Sequence, residues 1–418
     1  MARLSASRTW LVYRGTESFA MALGWTLAPV YFVQEVGMTP LELVLVGTAM
    51  EVAYFLFEVP TGVVADTYSR RTSVIVAQFV MGASFIVTGL VSSAGAILAA
   101  AALMGFGWTF KSGAIDAWLA DEIGPERLGA AYQRGAQVGR ICALAGIGAA
   151  VGLALVGLSL PVVAGGLVMI LLGVFLVIAM PETGFRPASR EDVSALRSMT
   201  RTARDSGRLI RTRPVLLFIL GITFFGGMWS ESVDRLWEAH LLVDVGVPEF
   251  AGLNSVIWFG VLNAGALVLA IAVAQPLARR FSRASGRGMA RSLLWLDTAM
   301  MGGTLVFAFA GSFGLAVLAY WAIRVAASLA GPVYSTWLNS NIDDSSVRAT
   351  VISITNLGDS AGQWGGGPAL GAVGSVYGIR AALAAGAVAL SPALVLYGLA
   401  IRHGGREPGI EAVPQAEA

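Results

Sequence analysis

Residues 153–178 and 381–401 contain no charged side chain. Apolar runs of about 18 residues or more read as membrane spans, because a helix rising ~1.5 Å per residue needs ~20 residues to cross a ~30 Å hydrocarbon core. The rest of the chain repeats the pattern. Its hydrophobic fraction is 56% and its charged fraction 13%, against roughly 25% charged residues in soluble domains. A soluble fold of this length would lack polar surface. Twelve spans are expected, near 9–33, 41–64, 72–92, 95–120, 131–157, 160–180, 214–241, 251–276, 289–310, 313–338, 348–373 and 378–401. The first stretch rivals a signal peptide, but it holds Arg14 and Glu17 and lacks a small-residue cleavage site, so it reads as the first helix.

Basic residues set the expected orientation. Of the 28 lysines and arginines, most fall at the two ends and in the even-to-odd loops. Arg70, Arg71 and Arg127 do so, as do the arginines between 186 and 213 and between 279 and 291. Positive-inside bias then puts both termini in the cytoplasm, which requires an even number of spans. The longest polar interval, 181–213, follows six spans. The expected organisation is a six-helix half over 1–180, a cytoplasmic linker over 181–213, a second half over 214–402 and a cytoplasmic tail over 403–418. Six spans, a charged linker and six spans match a two-halves transporter plan.

The loop after the second span reads Gly62-Val-Val-Ala-Asp66-Thr-Tyr-Ser-Arg70-Arg71. It resembles the signature loop of the major facilitator superfamily, Gly-x-x-x-Asp with bases four and five places on. The resemblance implies an all-α integral membrane fold of twelve transmembrane helices in two six-helix halves. It also implies a cytoplasmic latch made by Gly62, Asp66, Arg70 and Arg71, with Asp121 of the acid-rich fourth-span exit as partner and Gly62 allowing close helix approach. Thr67 and Ser69 depart from the pattern, and the equivalent second-half loop, 275–280, keeps Arg279 and Arg280 but lacks the aspartate. Pro181-Glu182-Thr183 resembles the close of the sixth span in this superfamily. The stretches Phe57-Glu58-Val-Pro60-Thr-Gly62 and Gly113-Ala-Ile-Asp116-Ala-Trp118 resemble the tetracycline-resistance-like branch of bacterial drug:proton antiporters. Two family features are missing. Gly105 and Phe106 stand near the usual fourth-span arginine. The fifth span has Gly139, Gly146, Gly148 and Gly152 but no Gly-Pro pair; its glycines are expected to pack against the second half.

Ionisable groups at membrane depth cost at least ~2.5–3.5 kcal/mol, so they usually face a cavity or a partner. Arg14 and Glu17 lie three residues apart on one helix face, and Glu231, Asp234, Arg235 and Glu238 form one stripe. Glu17, Asp116, Glu231 and Asp234 are the candidate proton carriers; structural ion pairing is the alternative. Arg14, Tyr54, Trp108, Lys111, Trp229, Arg235, Arg324 and Asp359 are the candidate cavity residues, with stacking or cation–π contact for the aromatics and interfacial anchoring as the alternative. Glu58 reads as structural; Glu238 and His240 read as near the outer surface.

A single cysteine, Cys142, and two histidines give no metal or disulfide framework. No phosphate-cradling Gly-x-x-x-x-Gly-Lys-Ser/Thr loop occurs. The chain is therefore expected to be no enzyme and to need no cofactor, with a small-molecule substrate, protons and the bilayer as partners and no nucleic acid. An ion gradient, worth ~2.3 kcal/mol per charge per 100 mV, would supply the energy. The leading expectation is a monomeric transporter of the bacterial inner membrane that exports a hydrophobic or amphiphilic compound in exchange for protons. Uptake of a small nutrient or cofactor is the alternative.

Overall fold

A computed structural model describes residues 4–186, 214–248, 255–281, 284–342 and 345–403. Most of the expected linker (187–213) and of the tail (404–418) lies outside the described residues, as does the expected start of the eighth span. The described residues are helical, with no strand among them.

Twelve helical segments follow one another. The first is α1 (Ala6–Trp25), continued by α2 (Ala28–Tyr31) and a π-helical turn, Phe32–Val36, that Gly37 closes at φ 73°. The second is α3 (Pro40–Thr67) and the third α4 (Arg70–Leu90). The fourth is split into α5 (Ala94–Lys111) and α6 (Ala114–Ile123), and α7 (Pro125–Ala154) and α8 (Leu160–Ala179) complete the first six. The seventh is α9 (Pro214–His240), extended by the π-helical turn Leu241–Val245. The eighth runs from α10 (Ser255–Leu269) through Ala270–Ala274 to α11 (Gln275–Phe281). Then come α12 (Gly286–Ala308), α13 (Phe313–Ser340) and α14 (Ser345–Tyr377), and α15 (Ile379–Ala389) with α16 (Ser391–His403) form the last.

Nine of these segments, among the described residues, are long and apolar enough to cross a membrane. The first, ninth and eleventh fall outside that set, and they carry Arg14 and Glu17, Asp297, and Asp359 with Gln363.

Local chemistry sets the boundaries. At α3 the Thr39 hydroxyl accepts from the Glu42 amide while the Glu42 carboxylate accepts from the Thr39 amide, a capping box. Ser69 caps α4 by accepting from the Thr72 amide. The fourth span was expected to be continuous. It breaks instead at Gly113, whose φ of 69° is a left-handed conformation that glycine adopts without steric cost.

Within the first six segments, α1 packs on α7 and α8, α4 on α5 and α8, and α3 on α5; within the last six, α9 packs on α14 and α16, and α12 on α13. The two groups meet where α3 crosses α14 and α9, and where α7 meets α10. The Leu41 amide donates to Ser375 Oγ at 3.0 Å, Phe55 lies against Trp364, and Gly260 lies against Val151. The Leu41–Ser375 and Gly260–Val151 contacts lie toward the end that carries the turns near 37–40 and 246, and Phe55–Trp364 lies near the middle of both helices.

The α7 glycines do not make the expected contact with the last six helices. Gly139 and Gly146 face Ser18 and Phe19 of α1, and Gly148 and Gly152 face open space. The bulkier Val151 makes the cross-contact, because α7 turns its small face toward α1.

Candidate functional site

Between the two groups of helices lies a cavity of about 600 Å³, a size typical of small-molecule sites. Its α3 lining, Met50, Glu51 and Tyr54, lies on the Asp66-loop side of the Leu41–Ser375 contact and level with the Glu51–Ser360 and Phe55–Trp364 contacts. Of the expected cavity residues, Tyr54 (α3), Trp108 (α5), Trp229 (α9) and Asp359 (α14) line it. Trp229 is fixed by donating its indole N–H to Thr304 Oγ1 at 2.9 Å. Asp359 accepts from Gln363 Nε2 at 2.8 Å.

The lining also includes Glu51, Asp297, Tyr334 and Tyr397. Glu51 accepts from Ser360 Oγ at 2.9 Å across the α3–α14 interface. Asp297 is buried on α12. The signal for both was in the sequence, a carboxylate within an apolar helix. What the sequence lacked was which face of each helix turns inward.

The four expected proton carriers do not line this cavity. Glu17 is buried on α1 and accepts from Tyr13 OH at 2.9 Å; it pairs with Arg14 at 3.2 Å and with Lys111. The Lys111 ammonium also stands 3.6 Å from the centre of the Trp108 ring, a cation–π distance. Lys111 and Arg14 thus serve Glu17 rather than the cavity. Asp116 is exposed on α6, beyond the Gly113 break.

Glu231 pairs with Arg235 at 3.2 Å, and Asp234 with Arg324 at 2.7 Å. The expected single stripe on α9 is therefore divided. Glu231 and Arg235 face Gly47 of α3, where a Cβ would stand 1.8 Å from Glu231 Oε1. Arg324 instead borders a smaller pocket of about 340 Å³ with Trp25, Asn263 and Tyr320.

Glu238 and His240 are not at the surface as expected: both are buried. His240 meets Asp244 at 2.9 Å through Nδ1 and the Phe307 carbonyl at 3.0 Å through Nε2. Asp244 stands four residues on from His240, the spacing that puts two residues on one helix face. Glu58 accepts from Ser112 Oγ at 2.8 Å, and Ser112 in turn meets Tyr54 OH at 3.3 Å.

At the Asp66 end a dense network joins α3, α4, α6 and the exit of α8. Arg70 pairs with Asp66 at 3.3 Å and with Asp121, and donates to the Ala117 carbonyl at 3.2 Å. Glu182 accepts from Ser69 Oγ at 2.7 Å and from the Arg71 amide at 2.9 Å, while the Arg71 guanidinium donates to the Val177 carbonyl. Trp118 donates to the Pro181 carbonyl at 2.6 Å. Gly62 does not make the expected close helix approach. A Cβ there would meet nothing within 4 Å, because the packed face of α3 at this turn is the one that carries Thr61 and Ala65, both buried.

Among the described residues no group of three or more His, Cys, Asp or Glu is placed to hold a metal. Aromatic walls with polar groups placed among them suit binding and release of a small molecule.

Known proteins are similar to this chain in sequence or in fold. An uncharacterized MFS-type transporter, YxaM of Bacillus subtilis (strain 168), is 22% identical over 360 residues, covering 85% of this chain and 86% of its own. The crystal structure of the nucleoside transporter NupG is similar with a TM-score of 0.74 and 13% identity over 97% of this chain and all of that one. The peptide transporter POT in complex with sulfate is similar with a TM-score of 0.72 and 16% identity, over 96% of this chain and 95% of that one. A bacterial homolog of the human lysosomal transporter Spinster, inward-facing and unoccupied, gives 0.71 and 14%, over 95% and 96%. The sequence profile described as Major Facilitator Superfamily matches residues 15–366. This chain therefore belongs to the Major Facilitator Superfamily and is a multi-pass membrane transporter, not an enzyme.

Proposed function

We propose that the protein exports an amphiphilic small molecule in exchange for protons, by alternating access between two six-helix halves, 1–180 and 214–402. Residues 181–213 join the halves as a cytoplasmic linker, residues 403–418 form a cytoplasmic tail, and both termini face the cytoplasm of a bacterial cell. One observation carries this reading: the cavity lies between the two groups of helices, and the contacts made by Leu41, Val44 and Gly47 of α3 with α9 and α14 close one side of it. With the basic-residue orientation, the closed side is outer and the cavity opens inward. Substrate enters from the cytoplasm and leaves when the α3–α14 contacts part. The monomer holds the whole cavity, so one chain suffices.

The proton reading rests on the ion pairs. Glu231 contacts α3 while paired to Arg235, so neutralising it acts directly on the outer contact. Glu17, Asp116 and Asp234 remain candidates at greater distance from the cavity, and Arg70 with Asp66 and Asp121 forms the cytoplasmic latch. Transport in purified proteoliposomes under an imposed pH gradient tests this. Substrate-dependent proton counterflow, lost in Glu231→Gln, is expected. Substrate movement with no proton counterflow removes the antiport reading.

Uptake of a nutrient or cofactor is the second reading, favoured by Gly105. A Cβ there would stand 2.0 Å from the Met50 carbonyl, so the helix packing excludes the arginine that drug antiporters carry near this point.

A further inference from the structure

The charges on the cavity wall have one sign. Among the described residues the ionisable carboxylates lining it are Glu51, Asp297 and Asp359, and no lysine, arginine or histidine lines it. The bases nearest in sequence are engaged elsewhere: Lys111 with Glu17, Arg235 with Glu231 and Arg324 with Asp234. Between the carboxylates stand the rings of Tyr54, Trp108, Trp229 and Tyr334. The remaining polar groups of the lining are uncharged, so the acidic groups in this enclosure attract a positive charge, and aromatic faces add cation–π attraction. An anion entering this wall would meet repulsion with no counter-charge.

We propose that the substrate is a lipophilic organic cation and that Glu51 is the carboxylate that meets its charge. This rests on the transporter reading above and names its substrate class. Glu51 differs from the other two acids in reaching across the interface. Its hydrogen bond from Ser360 is a neutral donor's bond, and Ser360 adjoins Asp359 on α14. A cation offers Glu51 a stronger, charge-assisted partner and so competes with Ser360 for it. Binding then weakens one of the contacts between α3 and α14. Cargo differs in affinity for the closed and open states, as any ligand that drives a conformational change must.

The test uses the purified full chain in detergent, without any gradient, and reads quenching of tryptophan fluorescence, since Trp108 and Trp229 border the cavity. The probes are tetraphenylphosphonium and tetraphenylborate, equal in shape and opposite in charge, with tetraethyl- and tetrabutylammonium for size. Saturable binding of at least one cation, at least ~10-fold tighter than the borate, is expected. Losing a charge-assisted contact costs about a factor of ten or more, so Glu51→Gln should weaken cation binding by that much. Glu51→Asp should weaken it less, and Glu42→Gln on the far turn of α3 should leave it unchanged. Asp359→Asn, which keeps the bond to Gln363, is the second variant and should also weaken binding. Unshifted elution on gel filtration shows that each variant is folded.

Borate binding as tight as the cations, or binding of no cation, overturns the proposal, as does cation affinity unchanged in Glu51→Gln, whatever Asp359→Asn does. Because no gradient is present, these outcomes are separate from the fate of proton exchange. A cation that binds here but elicits no proton counterflow in proteoliposomes removes antiport and leaves the cation site standing.

Discussion

Glu17 illustrates how the membrane treats a charge. It is buried, yet Tyr13, Arg14 and Lys111 all point at it. Lys111 is buried too and is this chain's sole lysine. Removing one partner of a buried pair leaves the other charge uncompensated, which costs about 3–5 kcal/mol. Glu17→Gln should therefore lower the unfolding temperature of the detergent-solubilised protein markedly. Glu17→Leu combined with Lys111→Met should recover much of the loss, since an apolar pair of similar volume is often neutral or stabilising. If the double variant melts no higher than Glu17→Gln alone, the pair does not act as a unit, and Glu17 has a further role that the lysine does not share. The neighbouring Trp108 ring, 3.6 Å from the ammonium, links this pair to the cavity wall. Glu17→Gln should thus also alter tryptophan fluorescence in the absence of substrate.

At the scale of helices, close approach is decided by single glycines. At Gly47 a Cβ would overlap Glu231 and Arg235, and at Gly105 it would overlap the Met50 backbone. The first contact joins the two helical groups, and the second lies within one. Gly47→Ala should leave the fold intact but loosen the outer contact between α3 and α9. Faster maleimide labelling of a Ser375→Cys reporter, in a Cys142→Ala background, would register this; an unchanged labelling rate would show that α9 yields locally instead. Gly105→Arg should prevent accumulation of folded protein, because the clash is with backbone. Much of this architecture was legible in sequence. The twelve segments follow from apolar runs, and the Arg70 network follows from the loop that resembles the superfamily signature. The inward face of each helix was not legible. Glu231 and Asp234 sit three residues apart, yet one faces Gly47 and the other Arg324, and only packing separates them. The same limit hid Glu51 among equally plausible acids and made His240 look solvated. The break at Gly113 was hidden differently, because a glycine in a membrane helix is often only a packing residue.

For the molecule as a whole, the proposed alternating cycle turns on one group of contacts. They run along α3 and α14, from Leu41–Ser375 to Glu51–Ser360 and Phe55–Trp364. Each is a weak bond, and the Leu41 amide and Ser375 hydroxyl are exposed to competing water. Such a set can break and re-form at modest cost, which an alternating cycle requires, whereas the buried Glu17–Lys111 pair inside one group of helices cannot. The halves should therefore move as stiff bodies about the cavity, with this line of contacts as the part that yields. A covalent bond across it should arrest the cycle. The Leu41 backbone lies 3.0 Å from Ser375 Oγ, so Leu41→Cys with Ser375→Cys, in the Cys142→Ala background, places two thiols within reach of an oxidant. Oxidation should cut substrate exchange in proteoliposomes by about tenfold or more, and reductant should restore it. Cation binding in detergent should survive oxidation, because the cavity lies on the Asp66-loop side of the crosslink, the side the proposed orientation leaves open. If the crosslinked protein exchanges substrate at the uncrosslinked rate, the outer ends of α3 and α14 do not need to separate. Release would then have to pass between other helices, with α7 and α10 beside Val151 and Gly260 the next contact to be tested.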